Sequence, residues 1–182
     1  MLKKKSKNKI LILFLLGLLA CNTGNKKSSI TKENNFGIQD VSKINKIFIA
    51  DRNGNKILLK EQDGKWKVNN KFIVREDAIR TLLSTAKKIR IKKPVSKAVF
   101  NNVVKYISTT GIYVEFIKDE RIIKAYTIGS NTPDHLGTYM LLKGSKQPFV
   151  IHIPSFNGFL TPRYGIEGST VEINNWRSNT VF

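Results

Sequence analysis

The chain has 182 residues, of which 41% are hydrophobic and 25% are charged. These proportions are typical of one globular domain with tails, and they exclude a largely disordered chain. Lysine and arginine number 32 against 13 aspartate and glutamate, which gives a net charge of +19. This excess favours an anionic surface or nucleic acid as a partner. The single cysteine excludes an internal disulfide framework and a multi-cysteine metal site.

The first twenty residues have the layout of a signal peptide. Five lysines precede Ile10–Ala20, an unbroken run of eleven uncharged and mostly apolar residues. At 1.5 Å per residue this run reaches only about half of a hydrocarbon core of about 30 Å, so it is too short to span a bilayer. A buried N-terminal helix would leave the five lysines unexplained. We therefore predict a signal peptide over residues 1–20.

The end of this run, Leu18-Leu19-Ala20-Cys21, resembles the lipobox of bacterial lipoproteins. The resemblance implies cleavage after Ala20 and a diacylglycerol on the thiol of Cys21, and two or more acyl chains anchor a protein stably. Cleavage would lower the net charge from +19 to +14. We expect attachment to the cell envelope, facing the periplasm, because residues 22–27 hold no acidic cluster of the kind associated with surface export. The sequence does not choose between the inner and outer membrane.

Residues 21–42 are rich in Asn, Lys, Ser and Thr, which predicts a flexible tether and places a single domain over residues 43–182. Turn signals at Asn53-Gly54 and Asp63-Gly64 predict a three-stranded meander. Its strands are Lys46–Asp51, Lys56–Glu61 and Lys65–Val68. Trp66 alternates with lysines on the third strand, so we expect it to be buried against the first helix.

Apolar residues then recur at helical spacing over Glu76–Ile89 and again from Ser96 to about Ser108. Alternating segments downstream predict four more strands, and the aromatic tail from Pro154 onwards predicts an ordered loop. The four strands are Ile112–Lys118, Arg121–Ile128, Tyr139–Leu142 and Phe149–Ile153. The predicted fold class is α+β: a mostly antiparallel sheet of hairpins and meanders with two amphipathic helices packed on one face.

Several short motifs are distributed along this domain. They are Asp63-Gly64-x-Trp66-x-Val68, the helix start at Asp77, Gly137-Thr138-Tyr139-Met140, Pro148-x-x-x-His152-Ile153-Pro154, and the closing Trp176-Arg177. Together they resemble an uncharacterised bacterial lipoprotein group, domain-of-unknown-function family 4340, as found in Bacteroidetes-like chains. The resemblance implies an envelope lipoprotein with an α+β domain, and it brings no catalytic residues.

Candidate catalytic residues are few. Asp134, His135, His152 and Ser155 include the residue types of a nucleophile, a base and an orienting acid. The sequence has no nucleophile elbow, no paired-histidine metal helix and no phosphate loop, and two histidines seventeen residues apart form a poor metal site. We therefore predict no catalytic residues, no metal and no cofactor. An envelope hydrolase or a metal-dependent enzyme stays open as an alternative.

The basic residues are concentrated around the junction of the two predicted helices. Six of them fall within eleven residues: Lys87, Lys88, Arg90, Lys92, Lys93 and Lys97. One interpretation is a solvated loop; the other is a patch that docks on anionic lipid headgroups or on an acidic envelope protein. Export and the lack of interleaved aromatic residues argue against nucleic acid.

The sequence as a whole therefore predicts a lipid-anchored envelope protein that acts as a non-catalytic binding or scaffolding component. An accessory subunit of an envelope transport or gliding apparatus is the other alternative.

Overall fold

The computed structural model describes residues 35–165 and 171–179. Within these ranges nine strands form one antiparallel sheet, accompanied by three α-helices. The strands are β1 (Lys46–Ala50), β2 (Lys56–Gln62), β3 (Lys65–Val68), β4 (Phe72–Ile73), β5 (Arg90–Pro94), β6 (Ile112–Lys118), β7 (Arg121–Asn131), β8 (Thr138–Leu142) and β9 (Phe149–His152). The helices are α1 (Glu76–Lys88), α2 (Lys97–Thr110) and α3 (Pro162–Gly165). The predicted α+β class with a mostly antiparallel sheet is confirmed.

The sheet order is β4-β3-β2-β1-β6-β7-β8-β9-β5. Strands β1 to β4 form a meander, and β6 to β9 form a second one that pairs with it through β1 and β6. Asp63 and Gly64 both adopt positive φ, 52° and 74°, which is the conformation that a two-residue type I′ turn requires. Strand β5 follows α1 in the chain but pairs with β9, so it forms the far edge of the sheet.

The two long helices do not share a face of the sheet, so the expectation that both lie on one face is not confirmed. Helix α1 contributes Leu82 to the main core together with Ile151 of β9, whereas Ile107 of α2 packs in a second cluster with Val150. Consecutive strand residues point to opposite faces. Because β9 is apolar on both sides, each face of the sheet at this end receives its own helix.

The folded region begins earlier than predicted. Phe36 and Ile38 are 1% and 7% exposed and belong to the main core, and the Ile38 amide donates to the Ala86 carbonyl of α1 at 2.9 Å. These residues lie in the segment 21–42 that we predicted as a tether, so that prediction is wrong from Phe36 onwards. The apolar side chains at 36 and 38 are separated by only one residue, which made the strand-like alternation too short to recognise.

The closing segment also joins the core. Trp176 is fully buried, and its carbonyl accepts from the Arg75 amide at 2.8 Å, just before α1 begins. Arg177 forms an isolated antiparallel bridge with Val74. Trp66 packs against the same core on the predicted face, but it is only partly buried. The fully buried tryptophan is Trp176, so the predicted burial of Trp66 is confirmed only in part.

Candidate functional site

The structure places all six predicted patch residues on one margin of the domain. Lys87 and Lys88 end α1, Lys97 begins α2, and between them β5 carries the other three: Arg90, Lys92 and Lys93. All six side chains are exposed. We call this set the basic edge. The segment that we expected as a helix–helix loop is a strand.

Strand β5 has the features of a protected sheet edge. Arg90 lies opposite His152 and Lys93 lies opposite Val150, with a register shift that leaves Lys92 without a partner residue. A bulge, charged residues and a proline, here Pro94, are all typical of edge strands because they prevent pairing with another chain. Only Ile91 of this strand packs against the core. The lysine-rich sequence concealed the strand because its period-two signal rests on this one apolar residue.

The charges of the basic edge have little neutralisation within the described residues. The ion pairs among the described residues all involve basic residues outside this set. No carboxylate of the described residues lies within 4.0 Å of any of the six side chains. The Arg90 guanidinium donates to the Lys87 and Ile89 carbonyls at 2.8 Å each and so closes the C-terminus of α1. The Lys92 amine lies 3.5 Å from the Leu136 carbonyl.

The positive charge of the basic edge contributes to lowering the pKa of two neighbouring groups, Asp134 and His152. The pKa of Asp134 is lowered first by the Thr132 hydroxyl and then by the Leu136 amide, and Lys92 and Lys93 lower it further through space. Burial lowers the pKa of His152, and the charge of Lys92 adds to that effect. Both shifts have the direction that a positive surface produces.

The first described residues of the chain lie against the basic edge. Asn35, Gly37, Ile38 and Gln39 line a pocket of about 350 Å³ together with Lys87 and Arg90. A Cβ atom on Gly37 would lie 3.0 Å from an Arg90 guanidinium nitrogen and 3.0 Å from the Ile89 carbonyl oxygen, so glycine permits this close approach. The chain thus enters the domain beside the basic edge.

The predicted catalytic candidates have separate partners. The Asp134 carboxylate accepts from Thr132 and from the Leu136 amide, whereas His135 Nδ1 lies 2.7 Å from the Asn131 side-chain amide. His152 lies on β9, and Ser155 lies in the following turn. Among the hydrogen bonds of the described residues, none joins either histidine to Ser155 or to Asp134.

Two further searches cover the same residues. Nowhere in residues 35–165 and 171–179 do three or more His, Cys, Asp or Glu side chains lie where they could hold a metal ion. Of the helices in these ranges, none has the length and apolar character needed to cross a membrane. Cys21 and the predicted signal peptide lie outside the described residues.

One polar cluster escaped the sequence analysis because its members come from strand β6 and from the turn that follows β8. The Tyr113 hydroxyl donates to Glu115 at 2.5 Å, and the Lys143 amine lies 3.1 Å from the same carboxylate. Burial raises the pKa of Tyr113, and the hydrogen bond to Glu115 adds to the rise. Alternation on β6 placed Tyr113 and Glu115 on one face, but no sequence signal indicated that Lys143 would reach them.

Comparison of the chain with protein-family models, with curated proteins and with solved structures gives no match.

Proposed function

We propose that this chain is a lipid-anchored, non-catalytic binding or scaffolding protein of the bacterial cell envelope, held on the periplasmic side through Cys21. The observation that carries the proposal is the position of the chain entry: residues 35–39 lie against Lys87 and Arg90 of the basic edge. An anchor upstream of Asn35 therefore joins the domain at the basic edge, whose charges have no ion-pair partner among the described residues.

Chain length limits how far the domain can lie from its anchor. Residues 21–34 comprise 14 residues, and even a fully extended chain of that length spans only about 50 Å. A tether this short raises the effective concentration of the basic edge at the headgroups to about the millimolar range. Each basic side chain near an anionic surface contributes about 1 kcal/mol. The tether and the six charges together favour docking of this edge on anionic lipid.

The arrangement of the family-like motifs supports a place beside family 4340. The Asp63-Gly64 turn and Trp66 belong to the first meander, and the closing Trp176-Arg177 lies beside the meander's last strand and the start of α1. These two motifs, which are more than a hundred residues apart in the chain, thus lie close together around Val74 and Arg75.

The experiment tests the anchor and the docking surface on the full-length protein. In cells, Cys21→Ser should abolish labelling by a clickable fatty acid, because the chain has no other thiol. Undiminished labelling of the variant would overturn the lipoprotein proposal.

The lipidated protein is then reconstituted in vesicles of phosphatidylcholine, with or without phosphatidylglycerol, and its lysines are acetylated and quantified by mass spectrometry. We expect Lys92 and Lys93 to react several-fold more slowly on anionic vesicles. Lys60 and Lys67, in the same sample, should be unaffected. High salt should remove the protection, since the Debye length falls to about 3 Å at 1 M. Equal reactivity of the two lysine pairs on both vesicles would contradict membrane docking by the basic edge.

A further inference from the structure

A second basic surface lies on the face of the sheet opposite α1. Lys46 of β1 lies directly opposite Lys60 of β2, and Lys60 lies directly opposite Lys67 of β3. We call these three residues the lysine row. Ile117 and Ile73 continue the same row at its two ends. Residues directly opposite in an antiparallel pair have Cβ atoms about 5 Å apart, where like charges destabilise the sheet.

Among the described residues, no helix packs on this part of the sheet from the side of the lysine row. Ile47 and Leu59, which point to the α1 side, are fully buried, whereas Phe48 and Leu58, which point the other way, are only partly buried. Helix α2 lies on the same side as the lysine row but packs on β7 and β8. The open face of β1–β3 therefore combines cationic and apolar side chains that are accessible to a partner.

The acids on this face are already engaged. Glu120 pairs with Lys46, and Glu115 binds Lys143 and Tyr113. Within the described residues, no carboxylate lies within 4.0 Å of the amines of Lys60 or Lys67, and the same holds for two further lysines of this face, Lys56 and Lys65. The nearest acids along the chain are Glu61, which points to the α1 side and accepts from the Gly64 amide, and Asp63 in the adjoining turn. Among the described residues, four lysine charges thus remain without an ion pair on this face.

The residues outside the described ranges hold fewer acidic side chains than this face has lysines. Glu33 and Glu167 are the only acidic side chains among the residues outside the described ranges. A second copy would bring a further lysine row against the first. A complementary occupant must therefore be a different, acidic molecule.

We propose that the open face of β1–β3 binds an acidic segment of a partner protein through Lys60 and Lys67, with Phe48 and Leu58 as the neighbouring apolar contact. A mixed cationic and apolar surface is complementary to a peptide with acidic and apolar residues. Seven strand spacings of about 4.8 Å separate β3 from β5, about 34 Å along the sheet. If the basic edge docks on lipid, as proposed above, the lysine row lies far from the headgroups.

Two matched double variants of the full-length protein, purified in neutral detergent, test this assignment. Lys60→Glu with Lys67→Glu alters the lysine row, and Lys92→Glu with Lys93→Glu alters the basic edge, with the same change in net charge. The probe is a fluorescent peptide in which glutamates alternate with serines and one leucine, and binding is followed by anisotropy. We expect the row variant to lose at least about tenfold in affinity and the edge variant less than about threefold.

Circular dichroism and the milder pair Lys60→Gln with Lys67→Gln guard against misfolding. The glutamine pair should also lose affinity while keeping the wild-type spectrum. Equal losses in the row and edge variants, or no binding of the peptide by the wild type, would overturn the proposal. Binding of anionic vesicles, rather than of the peptide, through Lys60 and Lys67 would also overturn the proposal. Membrane docking by the basic edge is measured separately, so either proposal can fail without the other.

Discussion

The two faces of the sheet have opposite characters. The face toward α1 carries fully buried residues on almost every strand, and it includes Trp176 and the tyrosines Tyr126 and Tyr164. The other face is covered by α2 at one end and carries the lysine row at the other. The stability gained on the first face allows the second to hold like charges side by side. The proposed binding surface and the main core thus lie on opposite sides of a single layer of backbone.

The largest effect that distinguishes the faces should come from Trp176→Ala. This side chain is fully buried, and its loss should lower the free energy of unfolding by about 3 to 5 kcal/mol. Trp66→Ala is the matched control. It should lower that free energy by about 1 to 2 kcal/mol, because part of the Trp66 ring stays in water in the folded state. Urea unfolding of the full-length protein measures both values, and equal losses would show that the closing segment is not part of the core.

The next effect concerns the hydroxyl pair in the core. Tyr126 and Tyr164 are fully buried and their hydroxyl oxygens lie 2.9 Å apart. Tyr126→Phe leaves the Tyr164 hydroxyl buried without this partner, which should lower the free energy of unfolding by about 1 to 3 kcal/mol. The double phenylalanine variant should lose less than the sum of the two single variants. Additive losses in this double-mutant cycle would mean that the two hydroxyls do not stabilise each other.

The same pair should make stability depend on alkaline pH. Burial raises the pKa of both hydroxyl groups above their ordinary value of about 10. The folded state therefore keeps both protons when the unfolded chain releases them. Their contribution to stability is fully present below about pH 10 and is lost as the pH rises above that value. The loss between pH 9 and 11 should be smaller in the double phenylalanine variant, and an unchanged pH profile would contradict this origin.

The smallest effect on the free energy of unfolding should come from the open face of β1–β3. There the substitution should raise that free energy, whereas the substitutions above lower it. Lys60→Gln removes the central charge of the lysine row, so the free energy of unfolding should rise by about 0.2 to 1 kcal/mol. Lys105→Gln changes an exposed lysine of α2 and should leave that free energy nearly unchanged. If Lys60→Gln lowers stability instead, the cross-strand lysines do not repel each other in the folded protein.

Local patterns predicted the parts of the fold that local sequence determines. The glycine turns defined β1 to β3, and helical spacing gave α1 with the same first residue, Glu76. Strand β5 was not predicted, since an edge strand with one buried residue lacks alternation. The placement of α2 on the second face depends on β9 being apolar on both sides, a pattern that is equally compatible with burial under one helix.

The two basic surfaces show the same limit of prediction from sequence, now for the candidate sites. The basic edge is contiguous in sequence, and its residues were identified from charge counting alone. The lysine row joins Lys46, Lys60 and Lys67, which lie on three different strands. Its existence depends on register, because a shift of one residue would turn these side chains to the other face. Sequence alone gave the alternation within each strand but not the alignment between strands.

The pairing of β5 with β9 has a consequence for how the chain folds. Strands β1 to β4 are joined by short turns and can pair as soon as they exist, whereas β5 must wait for a strand that begins 55 residues after its own last residue, Pro94. Closing so long a loop slows folding, since its entropy is lost before the contacts form. Trp176 completes the core later still. Until the C-terminal segment arrives, the apolar face formed by the first meander stays exposed, so an incomplete chain would need shielding at its N-terminal half.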